Sequence, residues 1–115
     1  MAITRQKPGP RMSAAVVHGN TVYLAGQVSG DEPTVKGQTE AVLKKIDELL
    51  ASAGTNKSKL LSATVYIADM KTFDEMNAAW DAWVSPGNTP ARATVEAKLA
   101  NPKYRVEIMA IAALD

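Results

Sequence analysis

Two charged residues stand in strand-like segments that leave them room to act: Arg92 within Asn88-Thr89-Pro90-Ala91-Arg92-Ala93-Thr94-Val95-Glu96-Ala97, and Glu107 within Tyr104-Arg105-Val106-Glu107-Ile108-Met109. From Ala91 to Leu99 the odd positions are Ala, Ala, Val, Ala and Leu, and the even ones are Arg92, Thr94, Glu96 and Lys98. A strand there has one apolar and one polar face. Flanked by alanines, the Arg92 guanidinium is open to a planar ligand such as a carboxylate, which it can grip through two parallel N–H groups. The plainer reading is a solvated strand face with weakly paired charges that points away from the core. Glu107 lies where the last strand becomes apolar on both sides, with Ile108, Ala110, Ala112 and Leu114 on one and Met109, Ile111 and Ala113 on the other. A carboxylate at that boundary needs a partner, a hydrogen bond or an upward pKa shift from desolvation, and the last of these makes an acid or base. An ion pair with a neighbouring strand is the plainer alternative.

Three further residues carry weaker signals. Gly26, inside the run Val22 to Val28, suggests a bulge or a close backbone approach to a ligand. Asn77 falls beside the apolar stripe of a helix, where an amide is as often structural as ligand-binding. His18 reads as a turn residue, and the Lys44-Lys45 and Lys57-Lys59 clusters as solvated surface.

Composition removes several classes of chemistry. With no cysteine and one histidine, thiolate catalysis, disulfides, Cys- or His-rich metal sites and a Ser-His triad are excluded. Thirteen Lys and Arg against 12 Asp and Glu advertise neither a nucleic-acid nor a membrane partner. No apolar run of about 18 residues is present to span a bilayer. The basic start, Met1 to Ser13, lacks an apolar secretory core, and Pro8-Gly9-Pro10 argues against a helical transit sequence, so a cytoplasmic protein is expected.

The elements that must position these residues fit one domain over residues 1–115. Met12–Val17 and Thr21–Val28 read as a hairpin turning at His18-Gly19-Asn20. Val42, Leu43, Ile46, Leu49, Leu50 and Ala53 recur at helical spacing over Gln38–Ala53, and Gly54 stops the helix. Lys59–Ala68 alternates as a strand with Leu61, Ala63, Val65 and Ile67 on one side. Thr72 to Glu75 has the form of a capping box opening a second helix, with Phe73, Met76, Ala79, Trp80 and Trp83 as its stripe and Ser85-Pro86-Gly87 as its end. Two strands follow, Ala91–Leu99 and Tyr104–Leu114. The order β-β-α-β-α-β-β predicts an α+β sandwich with both helices on one face of a sheet. The two-sided apolar last strand predicts that another copy covers the second face.

Five segments together resemble the Rid family of reactive intermediate deaminases, also called YjgF: Tyr23 to Val28, Gln38 to Gly54, Thr64 to Asp69, Pro90-Ala91-Arg92-Ala93-Thr94-Val95-Glu96, and Val106 to Ala112. The resemblance implies a chorismate-mutase-like fold on a mixed sheet, a homotrimer with sites between subunits, and cofactor-free hydrolysis of enamines and imines to 2-oxo acids and ammonia. It further implies that Arg92 grips the substrate carboxylate, Glu107 helps hold the attacking water, the Gly26 backbone contacts the substrate and Asn77 lines the site. Several positions depart from the family pattern. Arg11 stands where Tyr is common, Ala25 where Ser is, Thr94 where Cys is, and Met109 where a second Glu is frequent. These changes bear on the substrate more than on the reaction, and Arg11 would suit a second acidic group. Two rivals remain: a trimer that binds oxo or imino acids without turnover, and RNA cleavage, which has been attached to relatives and which the balanced charge and lone histidine disfavour.

Overall fold

The computed structural model describes all 115 residues and has six strands and two helices. In chain order these are β1 (Ile3–Pro8), β2 (Ser13–His18), β3 (Thr21–Val28), α1 (Val35–Ala53), β4 (Leu60–Ile67), α2 (Phe73–Trp83), β5 (Ala91–Glu96) and β6 (Val106–Ala113), with short 3-10 turns before β4 and before α2. The strands form one mixed sheet in the order β1-β2-β3-β6-β4-β5. β4 and β5 are parallel, joined by the α2 crossover, and β6 runs antiparallel to both of its neighbours, β3 and β4.

The two helices pack against one face of the sheet. Val42, Leu43, Ile46 and Leu50 of α1 and Met76 of α2 are buried with Val22, Leu24, Val65, Ile67, Ile108 and Ala110 of the sheet. The molecule is 20 Å across its shortest axis, which is one sheet plus one helix layer. The other face of the sheet therefore lies open, and Tyr23, Leu61, Val95 and Met109 are exposed large apolar residues.

The hairpin and helix stops follow the local chemistry. Gly19 takes φ 62° as the first residue of the two-residue β2–β3 turn, and Gly54 takes φ 90° at the end of α1. Helix α1 starts earlier than its apolar period, at Val35, because the Thr34 side chain caps it by accepting from the Gly37 N–H. The last two strands are shorter than their alternation suggests, ending at Glu96 and starting at Val106, because Lys98 to Arg105 make the connection between them.

Four expectations are corrected. Strand β1 was not foreseen, since Ile3–Pro8 is an edge strand with only Gln6 partly buried and so carries no burial pattern to read. The Thr72–Glu75 capping box does not form. A 3-10 turn runs into α2, the Thr72 hydroxyl donates to the Asp69 carbonyl, and Glu75 instead accepts from the Lys36 N–H at the start of α1. Leu60, not Leu61, faces the core, because a bulge between Leu60 and Ser62 shifts the pairing with β6. The polar side of β5 turns to the helix layer and not to the open face of the sheet. Arg92, Thr94 and Glu96 pair in register with Ala63, Val65 and Ile67, which are core residues, so they lie on the helix side of the sheet.

Candidate functional site

Arg92 is held at the sheet edge by β5 and covered from above by α2. Its guanidinium lies over the Trp80 ring, 5.0 Å from the centroid. Burial lowers the Arg92 pKa from its ordinary value, and the nearby Asp81 carboxylate partly offsets this. A cation that has lost water gains from any anion that approaches it, so the electrostatics favour a carboxylate ligand. Thr94, two residues on, shares this side, and its hydroxyl oxygen is buried without a hydrogen-bond partner. Asn77 is half-buried one helical turn before Trp80, which puts it on the same side of α2. Arg92, Thr94 and Asn77 thus belong to one region between α2 and the edge strand.

Glu107 belongs to another. It pairs with Tyr66 on β4 and with Val28 on β3, and lies on the face opposite the core residues Val106 and Ile108. The β3–β6 pairing slips between Leu24 and Gln27, and in this bulge the Glu107 side chain lies directly against Gly26. A β-carbon on Gly26 would fall 2.0 Å from Oε2 of Glu107, so only glycine admits the carboxylate here. Ala25 shares the bulge, its carbonyl accepting from Gln27 Nε2 at 2.9 Å. Arg11 is exposed in the turn between β1 and β2, at the end of the sheet where β3 finishes and β6 begins.

The two regions do not meet within one chain. Arg92 aligns with Ala63 and Glu107 with Tyr66 on the intervening strand. Their Cα atoms are therefore two strands and three residues apart, about 14 Å at the usual sheet spacings, with side chains on opposite faces. Neither residue lines any of the four surface concavities, the largest of which, 540 Å³, runs along α1 between Asp31 and Glu48. His18 ends β2 and is exposed, and no three His, Asp or Glu side chains converge as metal ligands.

Sequence reasoning missed two residues that shape these regions. In the sequence Trp80 reads only as part of the α2 stripe, although its spacing of three from Asn77 marks a shared surface. Gln38 is buried and ties the β5–β6 connection to the start of α1, donating to the carbonyls of Glu32 and Lys103 and accepting from the Arg105 N–H. Lys57, expected to be plain surface, lies over the Trp83 ring.

Residues 3–114 match the family model described as endoribonuclease L-PSP. The chain belongs to that family, which includes the YjgF and Rid proteins. It is 47% identical to a RutC family protein of Haemophilus ducreyi, over 98% of this chain and 97% of the relative. It is 45% identical to the RutC family protein YoaB of Escherichia coli, over 99% of this chain and all of the relative. Among solved structures, a YjgF family member from Neisseria meningitidis superposes with a TM-score of 0.98 at 44% identity, covering all of this chain and 97% of that one. No helix here is long and apolar enough to cross a membrane.

Proposed function

We propose that this protein hydrolyses reactive 2-imino acids and their enamine tautomers to 2-oxo acids and ammonia, without a cofactor, at a site completed between copies of the chain in a homotrimer. The observation that carries the reading is the partly desolvated Arg92, whose guanidinium lies over the Trp80 ring at a sheet edge, with Asp81 offsetting only part of the desolvation. Arg92 pairs with the substrate carboxylate, each charge-assisted hydrogen bond contributing about 1.5 to 3 kcal/mol, and so fixes the imine carbon. Asn77 and the free Thr94 hydroxyl supply further polar contacts on that side. Glu107 of the adjoining subunit, beside the bare Gly26 backbone, orients a water and takes its proton as the oxygen attacks the imine carbon. That proton passes to the imine nitrogen to give the carbinolamine, whose hydroxyl proton then moves to the nitrogen as the C–N bond breaks and the C=O forms, so imino acid plus water gives oxo acid plus ammonia. General acid–base work of this kind accelerates a step by roughly 10² to 10⁴-fold.

The separation of Arg92 from Glu107 by about 14 Å within the chain supports placing the site between subunits. The open apolar face bearing Tyr23, Ile111 and Met109 supports the same assembly, because apolar patches of this kind are normally covered. Ammonia release from enzymatically generated 2-iminopropanoate tests the reaction. Arg92→Ala should abolish catalysis, and Arg92→Lys should fail nearly as badly because a point charge lacks the planar fork. Wild-type rates in Arg92→Ala would sink the assignment.

The same separation leaves room for a second reading. A protein that binds an oxo acid at Arg92 without bringing Glu107 to it would be a metabolite-binding module. Saturable oxo-acid binding with no ammonia release above the uncatalysed rate would favour that. RNA cleavage, suggested by the family's description, has less to support it: the single histidine is far from Arg92 in the sheet order, and the charges balance.

A further inference from the structure

We infer that Trp80 is the positioning residue that aims Arg92 at the substrate carboxylate, an inference that rests on the function proposed above. A cation over an indole face is held by the ring's quadrupole. A cation–π contact needs no hydrogen-bond acceptor, so the N–H groups of the planar fork stay available. The contact at 5.0 Å therefore restrains the Arg92 fork without occupying the donors that a carboxylate needs. An acidic residue in place of Trp80 would orient the arginine equally well but would take up the fork.

Trp80 can impose this geometry because it is itself immobilised. It is 6% exposed and packed in the core. Its ring centroid is 5.4 Å from that of Trp83, at 54°. Trp83 in turn donates from Nε1 to Oδ2 of Asp47 on α1 at 2.9 Å, and Lys57 Nζ lies 5.2 Å from the centre of its ring. The arginine stands on an edge strand of six residues, with a neighbour on one side only. Its long side chain has several rotatable bonds, so a fixed platform reduces the freedom lost when a ligand binds.

The test compares 2-oxobutanoate with its uncharged amide, each titrated calorimetrically into the assembled protein. Trp80→Phe keeps a ring with a weaker face and should weaken acid binding by about 2- to 30-fold while leaving the amide nearly unaffected, and Trp80→Leu should do more. Equal weakening of acid and amide would mean that Trp80 only fills space, which overturns the proposal. Because Trp80 is a core residue, a second arm leaves it intact: Trp83→Phe makes Trp80 the sole tryptophan. Its fluorescence should change on saturation with 2-oxobutanoate and stop responding when Arg92→Ala is added. An emission indifferent to bound ligand also overturns the proposal. If Arg92→Ala in the otherwise native chain still binds the oxo acid, the functional reading falls and this inference with it. If Arg92→Ala loses binding while both Trp80 variants keep the native acid-to-amide ratio, only the role of Trp80 falls.

Discussion

Gly26→Ala isolates the contact between the β3 bulge and Glu107. The new methyl group would lie 2.0 Å from Oε2, 2.9 Å from Cδ and 3.1 Å from Cγ of Glu107, whereas ordinary contact begins at 3.4 Å. The carboxylate must retreat by about 1.4 Å, and the short approach to Cγ means that turning the carboxylate alone is not enough. Glu107 then leaves its preferred rotamer, at about 0.5 to 1.5 kcal/mol. Unfolding entropy of about 2 cal/mol/K per residue makes 1 kcal/mol equivalent to roughly 4 °C in Tm for a chain of this length. Turnover should suffer far more than stability, since displacing a catalytic group by about 1 Å lowers rates on the order of 10²-fold. Oxo-acid binding, assigned to Arg92, should survive. Thermal melts and ammonia release measured on Gly26→Ala, Glu107→Ala and the double variant complete the cycle. Removing the Glu107 side chain removes the clash, so Gly26→Ala should be close to neutral for stability in that background. Equal destabilisation in both backgrounds, or turnover within about twofold of wild type in Gly26→Ala, would refute the reasoning.

Other outcomes follow from the same geometry. Glu107→Gln should lower turnover by roughly 10² to 10⁴-fold with oxo-acid affinity largely intact, and equal loss of both would mark Glu107 as structural. Ile111→Asp places a charge beside Tyr23 on the open face and should shift sedimentation toward single chains with loss of activity; an unaltered, active assembly would contradict the shared site. Gln38→Ala removes the partner of the Arg105 N–H and of two carbonyls and should destabilise by about 1 to 3 kcal/mol for each group water cannot reach, read by denaturant titration. Burial lowers the Arg92 pKa from its ordinary value, so the folded state holds that proton less tightly than the unfolded chain, and stability linked to it rises with pH only under strongly alkaline conditions. Arg92-dependent binding should therefore be flat between about pH 6 and 9, and a titration in that window would assign the anion site to another group.

The two helices and most strands were legible because their residues bury one side in a repeating period. Val42, Leu43, Ile46, Leu49 and Leu50 mark a helix wherever it packs, and all five are buried. Gly19 and Gly54 announce backbone conformations that only glycine adopts freely. β1 was illegible for the opposite reason, since an exposed edge strand leaves no imprint on residue choice. The capping box failed because a local motif competes with longer-range partners, and Glu75 found one in Lys36. The bulge at Leu60 to Ser62 moved one leucine out of the core, which no strict alternation could foresee.

For the candidate site, the sequence by itself determined that β5 has an apolar and a polar face, that Arg92 and Thr94 share the latter, and that Gly26 marks an irregular approach. Only the tertiary structure decided which face turns inward. Alternation defines two sides of a strand but carries no sign, and it is the register of β5 on β4, with Arg92 beside Ala63, that sends the polar side beneath α2 and leaves Ala91, Ala93 and Val95 on the open face. The same register separates Arg92 from Glu107, two residues that a linear reading sets side by side as partners. It also brings Trp80, distant from Arg92 by a turn and two prolines, into contact with the guanidinium. Residue types state what chemistry is available, and strand pairing decides which of those residues can meet.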